Sequence, residues 1–178
     1  MSKTQEILDV VNENNEITGQ EERKTVHEKG LWHRVVRILL SNQKGELLLQ
    51  KRKKTTDINP GVWSSSAAGH LNAGEDYLHA GKRELMEELG IETELSELGR
   101  EKVDIPNDRT FARYYIGECD GDFKARGAEF SEAGFFHVEK IKEMMKENPE
   151  KFSPNFLRLF NAYLRKINEK GCEKNAKR

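Results

Sequence analysis

The chain has 178 residues, 30 Lys and Arg against 31 Asp and Glu, and a formal net charge of −1 at pH 7. That balance excludes binding to duplex nucleic acid or to a membrane surface by bulk charge, so any anion site must be local. Two cysteines, Cys119 and Cys172, exclude a disulfide scaffold. No apolar run approaches the roughly 18 residues of a membrane span, and MSKTQEILDV lacks the apolar centre of a signal peptide. These features predict a reduced, cytoplasmic protein with one domain over residues 1–170 and a disordered tail over 171–178.

In chain order, Ile7–Val11 and Ile17–Gln20 flank the turn-prone NENN and predict a hairpin over 7–20. Trp32–Ser41 and Glu46–Gln50 are β-branched or aliphatic runs joined by NQKG, a strand pair running through a core. KRKKTTDINPG follows, ending in Pro60-Gly61. It reads either as a solvated charge run or as a loop whose Lys51 or Arg52 points into an anion site.

Gly69 and Gly74 bracket a loop, and Asp76–Leu89 has helical periodicity closed by Gly90. Glu94–Asp104 and Phe111–Cys119 read as strands around a loop at Ile105–Thr110, Asp120-Gly121-Asp122 is a hairpin signal, and Ala133–Val138 is a last strand. Glu139–Lys146 fits a helix. Ser153-Pro154 starts another over 154–168, with an apolar stripe of Phe156, Leu159, Phe160, Tyr163, Leu164 and Ile167. The order predicts an α+β fold in which helices cover a mixed sheet.

Within GHLNAGEDYLHAGKRELMEELGI, Glu84, Glu87 and Glu88 share an arc of about 100° on the predicted helix, while Leu78, Leu85 and Leu89 share another. Like charges at these spacings cost a helix a few tenths of a kcal/mol each, a cost that a bound cation would reverse. All-oxygen ligands suit Mg²⁺, Mn²⁺ or Ca²⁺ rather than zinc. An exposed acidic helix face is the alternative.

The whole pattern is Gly69, Glu75, Arg83-Glu84-Leu85, Glu87-Glu88 and Gly90-Ile91 at fixed intervals. It resembles the Nudix box, residues 69–91, with every defining position filled. The resemblance implies an α/β/α sandwich with a mixed β-sheet and Mg²⁺-dependent hydrolysis of a diphosphate linkage, commonly in a nucleoside diphosphate derivative. It further implies Glu84, Glu87, Glu88 and the Gly69 carbonyl as metal ligands, with Mn²⁺ as a substitute ion, and Glu75 with Arg83 as the brace of the helix. The general base of such enzymes lies in the box helix or in a later loop. Here that leaves Glu87, Glu88, and the loop residues Glu129 and Glu132, of which Glu129 is favoured. A non-catalytic nucleotide-sensing module is the alternative of another class, and homodimers are common among Nudix proteins.

A narrower resemblance joins VHEKGLWHRVV, GELLLQKR, NPGVWSSSAAGH and FSPNFLRLF to the isopentenyl-diphosphate isomerase branch. Such isomerases use a cysteine two residues before a histidine, a glutamate on a later strand, and a histidine-rich metal site. Here Ala68 stands at the cysteine position before Gly69-His70, and Phe111–Tyr115 offers no glutamate. An isomerase-like scaffold with a hydrolase site is the reading that results. It leaves His27, His33 and His70 as structural, metal-binding or substrate-binding residues, with His70 favoured for substrate. Lys51 and Arg52 become the diphosphate partners, and Trp63, Arg109 and Phe111 are weaker pocket candidates.

Overall fold

The computed structural model describes residues 6–55, 59–105, 108–121, 123 and 130–176, the side chains of 170–176 excepted. Strands β1 (Ile7–Val11) and β2 (Ile17–Glu22) form the expected antiparallel hairpin. A short helix α1 (Arg23–Lys29) follows and stops at Gly30, whose φ of 60° is left-handed. This helix has no sequence signal, because its seven residues bury only Val26 and no side chain caps its start.

The main sheet contains β3 (His33–Ser41), β4 (Leu47–Arg52), β5 (Trp63–Ser64), β6 (Ala67–His70), β7 (Ser96–Ile105), β8 (Asp108–Glu118) and β9 (Phe130–Phe136). Its order is β5-β4-β3-β8-β7, with β6 added on β3 and β9 on β4. Only β3 and β8 run parallel among the paired strands described, so the sheet is mixed as expected.

Alternate residues of β3 go to opposite faces. Val35 and Leu39 join the core made with α3 (Val138–Glu147) and α4 (Pro154–Ala176), where Ile141, Phe156, Leu159 and Phe160 are buried. Val36, Ile38 and Leu40 face α2 (Tyr77–Leu89), packing with Tyr77, Ala80, Leu85 and Leu89. The result is the α/β/α sandwich.

Several boundaries differ from the sequence reading. Leu78 is 39% exposed rather than part of the α2 stripe, and Tyr77 is buried in that core. Strand β8 begins at Asp108, paired with Ile105, which shortens the expected loop; Pro106 and Asn107 lie outside the described residues. The expected hairpin turn at Asp120-Gly121-Asp122 includes Asp122, which lies outside the described residues, and the strands on either side of it do not pair with each other. Both edges of β8 are taken by β3 and β7, so the next strand, β9, pairs with β4 instead. That pairing draws β9 back to Phe130, and the chain leaves it at His137, the N-cap of α3. Helix α4 continues past residue 168 to Ala176, through NEKGCEKNA, which contains no proline. No helix among the described residues is long and apolar enough to cross a membrane.

Candidate active site

Two caps fix α2. Asp76 Oδ1 accepts from the backbone N–H groups of Leu78 and His79, and Gly90 closes the other end at a φ of 66°. The loop ahead of it is pinned by the N-terminal hairpin: Asp9 Oδ2 accepts from Gly74 N at 2.9 Å, and Ile7 O accepts from Ala73 N at 2.9 Å.

Arg83 organises the acidic face of α2. Its Nε and Nη2 donate to the two oxygens of Glu75, each at 2.9 Å, while Nη1 donates to Glu84 at 2.7 Å and approaches Glu87 at 3.4 Å. Nη2 also donates to the His70 carbonyl at 2.9 Å, tying the helix to the end of β6. Glu75 in turn accepts from Asn72 N. Burial pushes the Glu75 carboxyl up, but the Arg83 fork and the Asn72 amide outweigh it and hold the group below the usual range.

Glu84 is the most enclosed of the acids of the 69–91 stretch, 7% exposed, with its carboxylate against Gly69. A Cβ at residue 69 would lie 1.9 Å from Glu84 Oε1, so any larger residue there would force the Glu84 carboxylate or β6 to shift. Burial raises the Glu84 pKa to about 7, although the Arg83 charge and hydrogen bond oppose the rise. The folded chain therefore holds this proton where the unfolded chain has lost it. The stability Glu84 contributes is full below its unfolded pKa near 4.5 and is lost as the pH rises through about 7. In chelator-treated protein, urea unfolding should show wild type losing stability relative to Glu84→Gln between pH 5 and 8, by up to about 3 kcal/mol. A difference that grows in favour of wild type would contradict this environment.

Glu88 is oriented by Gln50, whose Nε2 donates to Glu88 Oε2 at 2.9 Å and also to the Ser66 carbonyl. Gln50 is fully buried with Oε1 unpartnered, and the sequence reading missed it. A polar residue ending the apolar run ELLLQ was the available signal.

A cavity of about 690 Å³ opens beside these groups, and Gly69, His70, Glu87, Glu88 and Arg52 line it. Lys51 is not among its lining residues. Its ammonium lies 3.5 Å from Glu132 and 5.4 Å from the Trp63 ring centre. Trp63 is core, edge-on to Phe136. Phe111 packs on Trp32, and Arg109 pairs with Asp104 at 3.1 Å, both away from the cavity lining. Glu129 lies outside the described residues. Arg37, Asp108, Arg23 and Glu6 line the cavity and had not been singled out.

The three histidines do come together. His27 and His70 share a 3.1 Å hydrogen bond between Nε2 atoms, and His33 stacks on His70 at 5.2 Å. His33 Nδ1 donates to the Leu31 carbonyl, leaving its buried Nε2 lone pair without a partner. Burial lowers the His33 pKa to about 4, and burial with the nearby His33, Arg23 and His27 charges depresses His70. One ligand atom from each lies within 4.8 Å of the others. Among the described residues this group is so gathered, whereas Glu84, Glu87 and Glu88 are not: Arg83 Nη1 meets the first two and Gln50 the third.

A family model described as NUDIX domain matches residues 31–156. The uncharacterized Nudix hydrolase PA4841 of Pseudomonas aeruginosa is 34% identical over 160 residues, spanning 89% of this chain and 94% of that one. An isopentenyl-diphosphate Delta-isomerase of Serratia proteamaculans is 31% identical over 157 residues, spanning 85% and 88%. The crystal structure of DR0079 from Deinococcus radiodurans has a TM-score of 0.76 at 25% identity, covering 88% of this chain and 98% of that one.

Proposed function

The chain belongs to the Nudix family and is a Nudix hydrolase, and from that premise we propose that it cleaves the diphosphate linkage of a small molecule, a nucleoside diphosphate derivative, with Mg²⁺ as its cation and Mn²⁺ as a substitute. The observation that carries the proposal is the glycine cradle: residue 69 has room for no Cβ because a buried carboxylate, Glu84, lies against it. Burying an acid beside a bare backbone costs stability unless something positive is to be held there. The donors fit a hard cation, since Glu84, Glu87, Glu88 and the Gly69 carbonyl are all oxygen ligands.

Those four groups would hold the ion. Bound there, Mg²⁺ would neutralise phosphate oxygens and acidify an attacking water. The chain's own residues supply the rest. Arg83 fixes the pitch of the acidic face, Gln50 aims Glu88, and Arg52 at the cavity wall receives the diphosphate as a bidentate partner. His70 at the same wall meets the substrate. The water's proton passes to a carboxylate, with Glu129 our first choice and Glu87 or Glu88 the alternatives.

The test is a panel of nucleoside diphosphate derivatives with Mg²⁺, comparing wild type with Glu87→Gln and Glu88→Gln. Each variant should lower turnover by more than tenfold while keeping the wild-type circular dichroism spectrum. Equal product release from all three proteins would remove the assignment.

Isomerisation of isopentenyl diphosphate is the second reading, favoured by the gathered His27, His33 and His70 and by the isomerase relative. Imidazoles preorganised in this way suit a borderline metal. Against it, Ala68 has no proton to give, and Phe111–Tyr115 of β8 offers no glutamate for the second catalytic role. Incubation with isopentenyl diphosphate in heavy water decides: absence of carbon-bound deuterium ends this reading.

A further inference from the structure

Arg37 lies mid-strand in β3, level with Ala68 of β6 and Tyr114 of β8, and is 6% exposed. It shares the face of His33, Val35 and Leu39, and the two residues that flank it there, Val35 and Leu39, are apolar and belong to the core shared with α4. A cation is unexpected there. Its Nη1 is buried without a hydrogen-bond partner, yet the residue lines the 690 Å³ cavity.

The neighbouring anions do not satisfy it. Glu101 accepts from the Tyr114 hydroxyl and from Arg158 Nη1 at 2.5 Å. Asp108 also lines the cavity and exerts a Coulombic pull on Arg37, but no ion pair joins the two among the described residues. A guanidinium kept dry with an open donor is costly unless a ligand completes it. Arg is also the side chain whose planar fork matches carboxylate and phosphate oxygens.

We infer that Arg37 is the receptor for a second oxyanion of the substrate, a phosphate or carboxylate at the end remote from the scissile diphosphate. This rests on the hydrolase reading for the position of the diphosphate, at Arg52 and the box carboxylates. A substrate of this class spans the cavity from one cation to the other. A hydrocarbon tail, as on an isoprenyl diphosphate, leaves the guanidinium unmatched and is rejected.

The test uses calorimetric titration of the metal-free full chain, so that it does not depend on turnover. Inorganic phosphate is the first probe. NADPH against NADH, and coenzyme A against dephospho-coenzyme A, are matched diphosphates that differ by one remote phosphate. Wild type should bind phosphate, and Arg37→Met should weaken that binding at least tenfold. The member of each pair with the extra phosphate should bind more tightly to wild type and equally with its partner to Arg37→Met. Arg37→Lys, which keeps the charge but not the fork, should fall between the two and shows that a loss in Arg37→Met is not a folding defect. Phosphate affinity that Arg37→Met leaves unchanged, or no phosphate binding to wild type, overturns the inference even if the hydrolase assay succeeds. Failure of the hydrolase assay with phosphate binding intact sinks the reaction and leaves the oxyanion receptor standing.

Discussion

Gly69→Ala should lower turnover of any hydrolysed diphosphate by about 10²-fold or more, the cost of misplacing a catalytic group by roughly 1 Å. The methyl carbon would stand 1.9 Å from Glu84 Oε1 and 2.1 Å from its carboxyl carbon, far inside contact distance. Glu84 cannot retreat without leaving Arg83, which holds it at 2.7 Å, and Arg83 is itself locked onto Glu75 and the His70 carbonyl. Either the carboxylate rotates out of the site or β6 shifts away from α2. Both outcomes move a proposed ligand, and the Gly69 carbonyl moves in the second. Overpacking of this kind costs about 1–3 kcal/mol, so the variant should remain folded. Steady-state kinetics across a Mg²⁺ titration, beside a thermal melt, checks the claim. Wild-type turnover at ordinary Mg²⁺ would show that the cradle is dispensable.

Arg83→Met should be the most destabilising single change in the box. It strands Glu75 and Glu84, whose side chains are 15% and 9% exposed, as buried carboxylates without their cation. Removing one partner of such a pair costs about 3–5 kcal/mol. For a chain of this size that lowers the melting temperature by roughly 6–20 °C. The loss should shrink at acidic pH, where Glu84 is neutral. Melts at pH 5.5 and 8 measure both effects, and a loss of the same size at both pH values would mean that Arg83 acts through packing alone. In Glu75→Gln, by contrast, one neutral acceptor remains for the fork, and the loss should be smaller.

The sheet and the box were legible because their signals are local. A continuous aliphatic run marks β3, alternation of apolar and polar residues marks β8, and Asp76 and Gly90 mark the ends of α2. Helix α1 was not legible, since one buried valine makes no period. The partner of β9 was not legible either: it depends on which strand edge is open, a property of the assembled sheet.

At the site, the fixed spacing led to Glu84, Glu87, Glu88, Glu75 and Arg83, but the burial of Glu84 follows from how close β6 comes. Lys51 and Arg52 read alike in sequence. They part because adjacent strand residues face opposite ways, one towards Trp63 and Glu132 and the other into the cavity wall. Arg37 was hidden in WHRVVRILLS, where it and Arg34 are both cations of one aliphatic run and nothing in the sequence sets either apart. The parallel β3–β8 pairing, the α4 core and the cavity lining show that Arg37 is buried at the cavity wall rather than exposed on an outer face.

That parallel pairing also sets an order of events as the chain is made. One edge of β3 belongs wholly to β8, from His33 opposite Thr110 to Ser41 opposite Glu118. The box helix leaves the ribosome before β8 does, and its Tyr77 hydroxyl must wait to donate to the Phe111 carbonyl. A nascent chain that stops short of β8 holds all the box residues but has an open strand edge and a half-built core behind them. Contacts this far apart in sequence are slow to form. The acid cluster is thus complete in sequence well before it can be set in place, and the unclosed β3 edge is where a stalled chain would be prone to pair with another copy.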